Sequence, residues 1–164
     1  MTRNIVITGC AGFIGSHVTE YFLKDQNYNV FGIDKLTYAG NLDNILHLIN
    51  KSKFTFIEED ICDRNAIQKI CKDNDISWIV NLAAETHVDR SIDNPDAFIQ
   101  SNIVGVFNLL ECFKDFQRKY RSKFVHISTD EVYGDILYGR SSEKYPYQPS
   151  SPYAASKAAS DHLV

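Results

Sequence analysis

The chain has 164 residues, 44% of them apolar and 23% charged, with a formal net charge of −4. That length suits one domain with a real hydrophobic core, and the acidic balance argues against a nucleic-acid or anionic-membrane surface. No apolar run approaches a membrane span, and Met1-Thr2-Arg3-Asn4 leads into an apolar stretch rather than a signal peptide. Cys10, Cys62, Cys71 and Cys112 have no metal-type spacing, so reduced thiols filling core space are expected, in a cytoplasmic protein with no metal site. The basic group Arg118-Lys119 and Arg121 reads as a solvated helix end.

In chain order, Ile5-Val6-Ile7 is a short apolar run followed by Gly9, Gly12 and Gly15, after which Ile14, Val18, Tyr21 and Phe22 recur at helical spacing. Val30 to Ile33 forms a second strand ending at Asp34, and Phe54 to Ile57 a third ending in acids up to Asp60. A helix with Ile67 and Ile70 precedes a fourth strand at Trp78-Ile79-Val80. A longer helix starts after Pro95 and carries Phe98, Ile99, Val106, Leu109, Leu110 and Phe113. Phe124 to Ile127 reads as a fifth, buried strand, and a last helix opens near Ser151-Pro152. Strands alternating with helices predict a parallel sheet with helices on both faces and a ligand crevice at the carboxyl ends of its strands. The polar stretch from Gly134 to Ser150 is long for a connection and suits an active-site cover. The last helical pattern reaches Val164 without a cap or breaker. This is read as a truncated chain, a single incomplete domain over 1–164 that lacks a C-terminal substrate-binding portion.

Thr8-Gly9-Cys10-Ala11-Gly12-Phe13-Ile14-Gly15 lies between the first strand and helix, where glycines let the backbone approach a pyrophosphate at a helix N-terminus. Asp34 ends the second strand at about the 20-residue interval at which an acid meets the adenosine ribose. A carboxylate there favours NAD over NADP, because it repels a 2′-phosphate. Asp60-Ile61 at the third strand end would hold the adenine, and a helix cap is the other reading of Asp60.

Tyr153 and Lys157, four residues apart, share one helical face. A free tyrosine, with a pKa of about 10, is a poor base at neutral pH. A neighbouring ammonium together with a positive nicotinamide would lower it. The alternative is an exposed helix face without chemistry. Thr129-Asp130-Glu131 falls at the end of the fifth strand, where Val132-Tyr133-Gly134 turns the chain away. Only at such a turn can two adjacent carboxylates serve one site, and a solvated acidic turn is the alternative. An acid, a base and an activated tyrosine around one pocket suggest elimination coupled to redox chemistry.

The glycine segment and Tyr153-x-x-x-Lys157 resemble the extended short-chain dehydrogenase/reductase superfamily. Asp34 to Asn41, Leu82 to Ser91, Ser128 to Gly134 and Ser151 to His162 narrow the resemblance to the nucleotide-diphosphate-glucose 4,6-dehydratases. It spans essentially the whole chain, and the Thr-Asp-Glu segment is its discriminating part. It implies an α/β Rossmann-type doubly wound parallel sheet. It also implies NAD-dependent dehydration of an NDP-glucose, dTDP-glucose ahead of UDP-glucose, to an NDP-4-keto-6-deoxy sugar in deoxysugar or rhamnose formation.

By that resemblance Tyr153 takes the C4 hydroxyl proton, Glu131 the C5 proton, Asp130 protonates the departing C6 hydroxyl, and Thr129 bonds the C4 oxygen. Lys157 assists Tyr153 and holds the nicotinamide ribose. Gly9, Gly12, Phe13, Ile14, Gly15, Asp34, Lys35, Leu36, Thr37, Asp60 and Ile61 contact the cofactor. Leu82, Ala83, Ala84, Glu85, Thr86 and Ser101 line it, and Thr86 also touches the substrate. Homodimerisation through the helices after Pro95 and at Tyr153 is implied for the complete enzyme. Another NDP-sugar epimerase or dehydratase and a truncated, non-catalytic NAD-binding module are the competing readings. His17, His87, His126 and His162 are assigned to structure or indirect contacts.

Overall fold

The computed structural model describes residues 2–117 and 122–164, so the basic group at 118–121 lies outside the described residues. Strands β1 (Arg3–Thr8), β2 (Tyr28–Asp34), β3 (Phe54–Glu58), β4 (Trp78–Asn81) and β5 (Lys123–His126) form one sheet in the order β3-β2-β1-β4-β5. Each neighbouring pair is parallel. This is the doubly wound sheet expected. Strand order reverses at β1, which opens a crevice beyond the carboxyl ends of β1 and β4. The register sets Thr8 opposite Ile33 on one side and Asn81 on the other, bringing the chain segments that follow these strands to a common edge.

The central strands β1, β2 and β4 are largely buried on both faces because they are apolar at successive positions. Ile5 and Ile7 pack with Val30, Phe54, Leu23 of α1 (Phe13–Lys24) and Leu48 of α2 (Leu46–Ile49). Val6, which points the other way, joins Ile33, Ile79, Ile67 of α3 (Arg64–Asp73) and Leu109 of α6 (Val106–Phe116). Helix α7 (Pro152–Leu163) begins with Ser151 Oγ accepting from the Ala154 amide at 3.0 Å, with Pro152 in its first turn. It packs against α4 (Val88–Asp93) and a 3₁₀ turn at Asp130–Tyr133.

Two elements depart from expectation. The helix after Pro95 is composite: α5 (Asp96–Phe98), a π-helical stretch Ile99–Gly105, then α6. The π stretch buries Ser101 and Asn102, at 4% and 1% exposure. Gly105 sits where a Cβ would come within 2.5 Å of Ile61 Cδ1, so the stretch is pressed against the β3 end. The fifth strand is not buried, since β5 is the sheet edge and leaves Val125 and Ile127 about 40% exposed. Among the described residues no helix is long and apolar enough to cross a membrane. Nor does any group of three or more His, Cys, Asp or Glu there suit a metal ion. All four cysteines are free.

Candidate active site

A cleft of about 370 Å³ opens beyond the strand ends, lined from one side by the glycine loop and from the other by Tyr153 and Lys157. Every cofactor contact expected from the sequence lines it except Leu36. Leu36 takes a left-handed backbone, φ 54°, and packs its side chain against the core of the α1 face.

The glycine loop is compact by necessity. Gly9 has φ 69°, and a Cβ there would lie 2.8 Å from the Ala83 nitrogen. At Gly15 a Cβ would lie 1.9 Å from the Gly9 carbonyl oxygen. Close loop–helix packing follows, and Gly12, which precedes α1 at the cap position, offers it no side-chain acceptor. The helices α3 and α7, by contrast, are capped by Asp63 and Ser151. The first-turn amides of α1 therefore remain available to an anion at the cleft.

At the end of β2, Asp34 is 9% exposed. Its Oδ2 accepts from the Ala11 amide and its Oδ1 from the Leu36 amide, each at 2.9 Å. A Cβ at Gly40 would stand 2.6 Å from Oδ1, so the return of the loop past the carboxylate depends on glycine. Lys35 turns away from Asp34, reaching Asp60 Oδ2 at 3.4 Å and Ser101 Oγ at 3.1 Å. Asp60 is not a helix cap: its Oδ1 accepts from the Cys62 amide at 2.9 Å, while Asp63 caps α3. Burial opposes the Asp60 charge, but the Cys62 amide and the Lys35 ammonium outweigh it and hold this carboxyl below its ordinary value.

The segment after β4 is held by Asn102. Its Oδ1 accepts from the Glu85 amide at 2.8 Å, and its Nδ2 donates to the Glu85 carbonyl and Ser156 Oγ, each at 2.9 Å. One side chain from the π stretch thus joins the cleft wall at Leu82–Thr86 to the helix bearing Tyr153 and Lys157.

Tyr153 and Lys157 are buried, at 9% and 3% exposure, so a chemistry-free exposed face does not describe them. Among the groups acting on the Tyr153 phenol, the Thr129 hydroxyl favours its ionised form, while the charges of Glu131 and Asp130 oppose it. Thr129, Asp130 and Glu131 do not line the cleft itself; Asp130 and Glu131 sit exposed on the 3₁₀ turn beside it.

The protein's own groups push the Tyr153 phenol up: burial leads, and Glu131 and Asp130 add to it, with the Thr129 hydroxyl only partly offsetting them. The lowering expected from a positive nicotinamide is a separate contribution. The Lys157 ammonium donates to the Ile127 carbonyl at 2.6 Å and lies 3.4 Å from His126 Nε2. Burial lowers Lys157 to about 8, against the pull of Asp161.

Sequence reasoning missed Ile33, Ala39, Gly40, Glu59, Ile127 and Ser128 in the lining. The available signals were the segments Asp34 to Asn41, which holds Ala39 and Gly40, and Ser128 to Gly134, which opens with Ser128. Also missed was Asp161, whose Oδ2 accepts from Ser128 Oγ at 2.5 Å and from Tyr147 of the 134–150 connection at 3.2 Å.

The family model described as GDP-mannose 4,6 dehydratase matches residues 6–164. The dTDP-glucose 4,6-dehydratase of Neisseria meningitidis serogroup B is 47% identical over 173 residues, covering 99% of this chain and 48% of that protein. The chain thus spans about half the length of the curated relatives it matches. Among solved structures, the dTDP-glucose 4,6-dehydratase of Streptomyces venezuelae with NAD bound is 39% identical, with TM-score 0.90, over 98% of this chain and 50% of that one. UDP-glucuronic acid 4-epimerase from Bacillus cereus, in complex with UDP-glucuronic acid and NAD, is 36% identical with TM-score 0.86, over 98% and 50%.

Proposed function

Because the chain belongs to the GDP-mannose 4,6 dehydratase family, we propose that it binds NAD and serves the dehydration of a nucleotide-diphospho-glucose, dTDP-glucose ahead of UDP-glucose. The product is the corresponding 4-keto-6-deoxy sugar, a precursor for deoxysugar formation. One observation carries the reading: the Thr129-Asp130-Glu131 turn packs on the helix bearing the buried Tyr153, beside a cleft whose far side ends in Asp34.

The residues fit the dinucleotide. The uncapped start of α1 suits the pyrophosphate, with Gly9, Gly12 and Gly15 lining the cleft beside it. Each Asp34 oxygen has accepted one amide and retains acceptor capacity for ribose hydroxyls. Lys35, paired with Asp60, is not offered to a 2′-phosphate. When bound, NAD supplies a hydride acceptor for C4 and a hydride donor for C6.

The chain's own groups supply the proton chemistry. Tyr153 takes the C4 hydroxyl proton, with Thr129 bonding the same oxygen. The 4-keto group then acidifies C5, from which Glu131 removes a proton. Asp130 gives a proton to the departing C6 hydroxyl, so water leaves as the C5–C6 double bond forms. Lys157 holds the nicotinamide end and provides the positive charge that a Tyr153 phenolate needs. Homodimerisation belongs to the same reading, since Ile92, Ile99 and Phe107 leave apolar surface exposed on consecutive helical segments. So does a cytoplasmic location, in keeping with four free cysteines.

Incubation with dTDP-glucose and with UDP-glucose in deuterated water tests the reading. Loss of water with deuterium at C5 of the product is expected. A C4-inverted hexose that keeps all its oxygens would make the protein an epimerase instead.

A further inference from the structure

Behind the cleft wall, side chains from β1, β4, β5 and α7 form a buried row of hydrogen bonds whose direction is fixed at each step. The Ala83 amide donates to Thr8 Oγ1 at 3.3 Å, and Thr8 Oγ1 lies 2.5 Å from Asn81 Oδ1. So short a separation belongs to an O–H···O bond rather than an N–H···O bond. Thr8 therefore donates, and the Asn81 amide turns its nitrogen the other way. Asn81 Nδ2 meets His126 Nδ1 at 2.9 Å. An amide nitrogen only donates, so Nδ1 accepts and the proton of the neutral ring sits on Nε2. Nε2 faces Ser160 Oγ at 3.2 Å, and Ser160 passes its own proton to the Lys157 carbonyl at 2.8 Å.

The row ends against the Lys157 side chain. Its Nζ stands 3.4 Å from His126 Nε2, and both nitrogens carry hydrogen, so this contact is not a hydrogen bond. The imidazole edge is a neutral flank that leaves the Ile127 carbonyl, at 2.6 Å, as the ammonium's acceptor. The His126 side chain is only 4% exposed. The groups facing it are Asn81 from β4 and Lys157, Ser160 and Asp161 from α7, with Asp161 Oδ1 at 3.6 Å. Asp161 is also engaged by Ser128 and Tyr147.

We propose that His126 is a positioning residue for Lys157: Thr8 and Asn81 hold its ring as the Nε2–H tautomer, and that neutral edge keeps the lysine ammonium on the Ile127 carbonyl at the cleft wall. This rests on the reading of Lys157 as a group that serves the cofactor and Tyr153. Burial first and Lys157 second lower His126 to about 4, with Asp161 pulling the other way, so the ring stays neutral at neutral pH.

Nitrogen-15 spectra of the histidine-labelled protein, without nucleotide, read the tautomer. An unprotonated Nδ1 and a protonated Nε2 are expected at pH 7. Asn81→Asp, whose carboxylate cannot donate, should move the ring proton to Nδ1 and raise the ring's proton affinity at least tenfold. In that variant NAD binding should be at least fivefold weaker at pH 6 than at pH 8, with the Lys157 titration displaced. In the unmodified protein the ratio should stay near one. An Nδ1–H tautomer in the unmodified protein overturns the proposal, which keeps it testable even if the variant does not fold. A switched tautomer in Asn81→Asp with NAD binding and Lys157 unmoved overturns it as well. The tautomer is read without nucleotide, so this inference fails separately from the dehydratase reading, which the product assay decides.

Discussion

Lys157 Nζ and His126 Nε2 lie 3.4 Å apart, a separation that two cations could hold only at a large cost in a buried site. The protein resolves this by keeping the imidazole neutral, and acid should undo it. With the folded-state value of His126 lowered from 6.5 to about 4, the unfolded chain binds the extra proton first. Stability from this group is thus fully present above about pH 6.5 and is lost as pH falls toward 4. The loss is on the order of 2–3 kcal/mol. Urea melts across that range should show the slope, and His126→Phe should flatten it. An unchanged slope in the variant would assign the acid sensitivity to other groups.

Gly15→Ala should abolish both a stable fold and dinucleotide binding. Its Cβ would sit 1.9 Å from the Gly9 carbonyl oxygen, which is backbone and cannot swing aside. A cost above about 4 kcal/mol is expected. Gly139→Ala is the control: it has φ 82° but nothing within 4 Å of a new Cβ. It should cost only the 1–2 kcal/mol or so of a left-handed backbone. Thermal melts of the two proteins separate a steric requirement from a conformational one.

Asp34→Asn should shift nucleotide preference and weaken the loop together. Both carboxylate oxygens accept backbone amides, so an amide nitrogen in place of one oxygen leaves a donor facing a donor. A stability loss of roughly 1–3 kcal/mol follows. Removing the charge also removes repulsion of a 2′-phosphate, which for unit charges about 5 Å apart is ~3 kcal/mol near a protein surface. Fluorescence titrations should show the NAD:NADP affinity ratio falling by at least about tenfold. A ratio that stays constant would mean that Asp34 orders the loop without selecting the nucleotide.

Much of this site is legible in the sequence because its backbone components are local. The apolar runs ending at Thr8, Asp34 and Asn81 share a register, so the residues after them had to meet at one edge. The four-residue spacing of Tyr153 and Lys157 likewise survives folding as a shared face. What escaped is made of contacts distant in sequence. The bonds joining Thr8, Asn81 and His126 span 73 and 45 positions, and no spacing rule marks them. The π turn at Ile99–Gly105 escaped because a periodicity of 3.6 fits both flanks and hides the widened turn. The burial and the neighbouring carboxylates that raise the Tyr153 phenol likewise come from contacts that no spacing rule marks.

Glu131→Gln and Asp130→Asn should interrupt the reaction at different bonds, although the two residues are adjacent on one exposed turn. Glu131 is assigned the C5 proton, so its amide variant should stop deuterium entering C5 from solvent and slow turnover by about 10²–10⁴-fold. Asp130 is assigned the C6 leaving group. Its amide variant should slow product formation comparably, while C5 exchange into unreacted sugar continues through reversible enolisation. Thr129→Val would remove the hydroxyl that favours the Tyr153 phenolate, and the pH at which turnover rises should then move upward, because its loss raises the phenol further. Mass and proton spectra of recovered sugar from each variant distinguish these outcomes. Loss of C5 exchange in Asp130→Asn with retention in Glu131→Gln would reverse the two assignments.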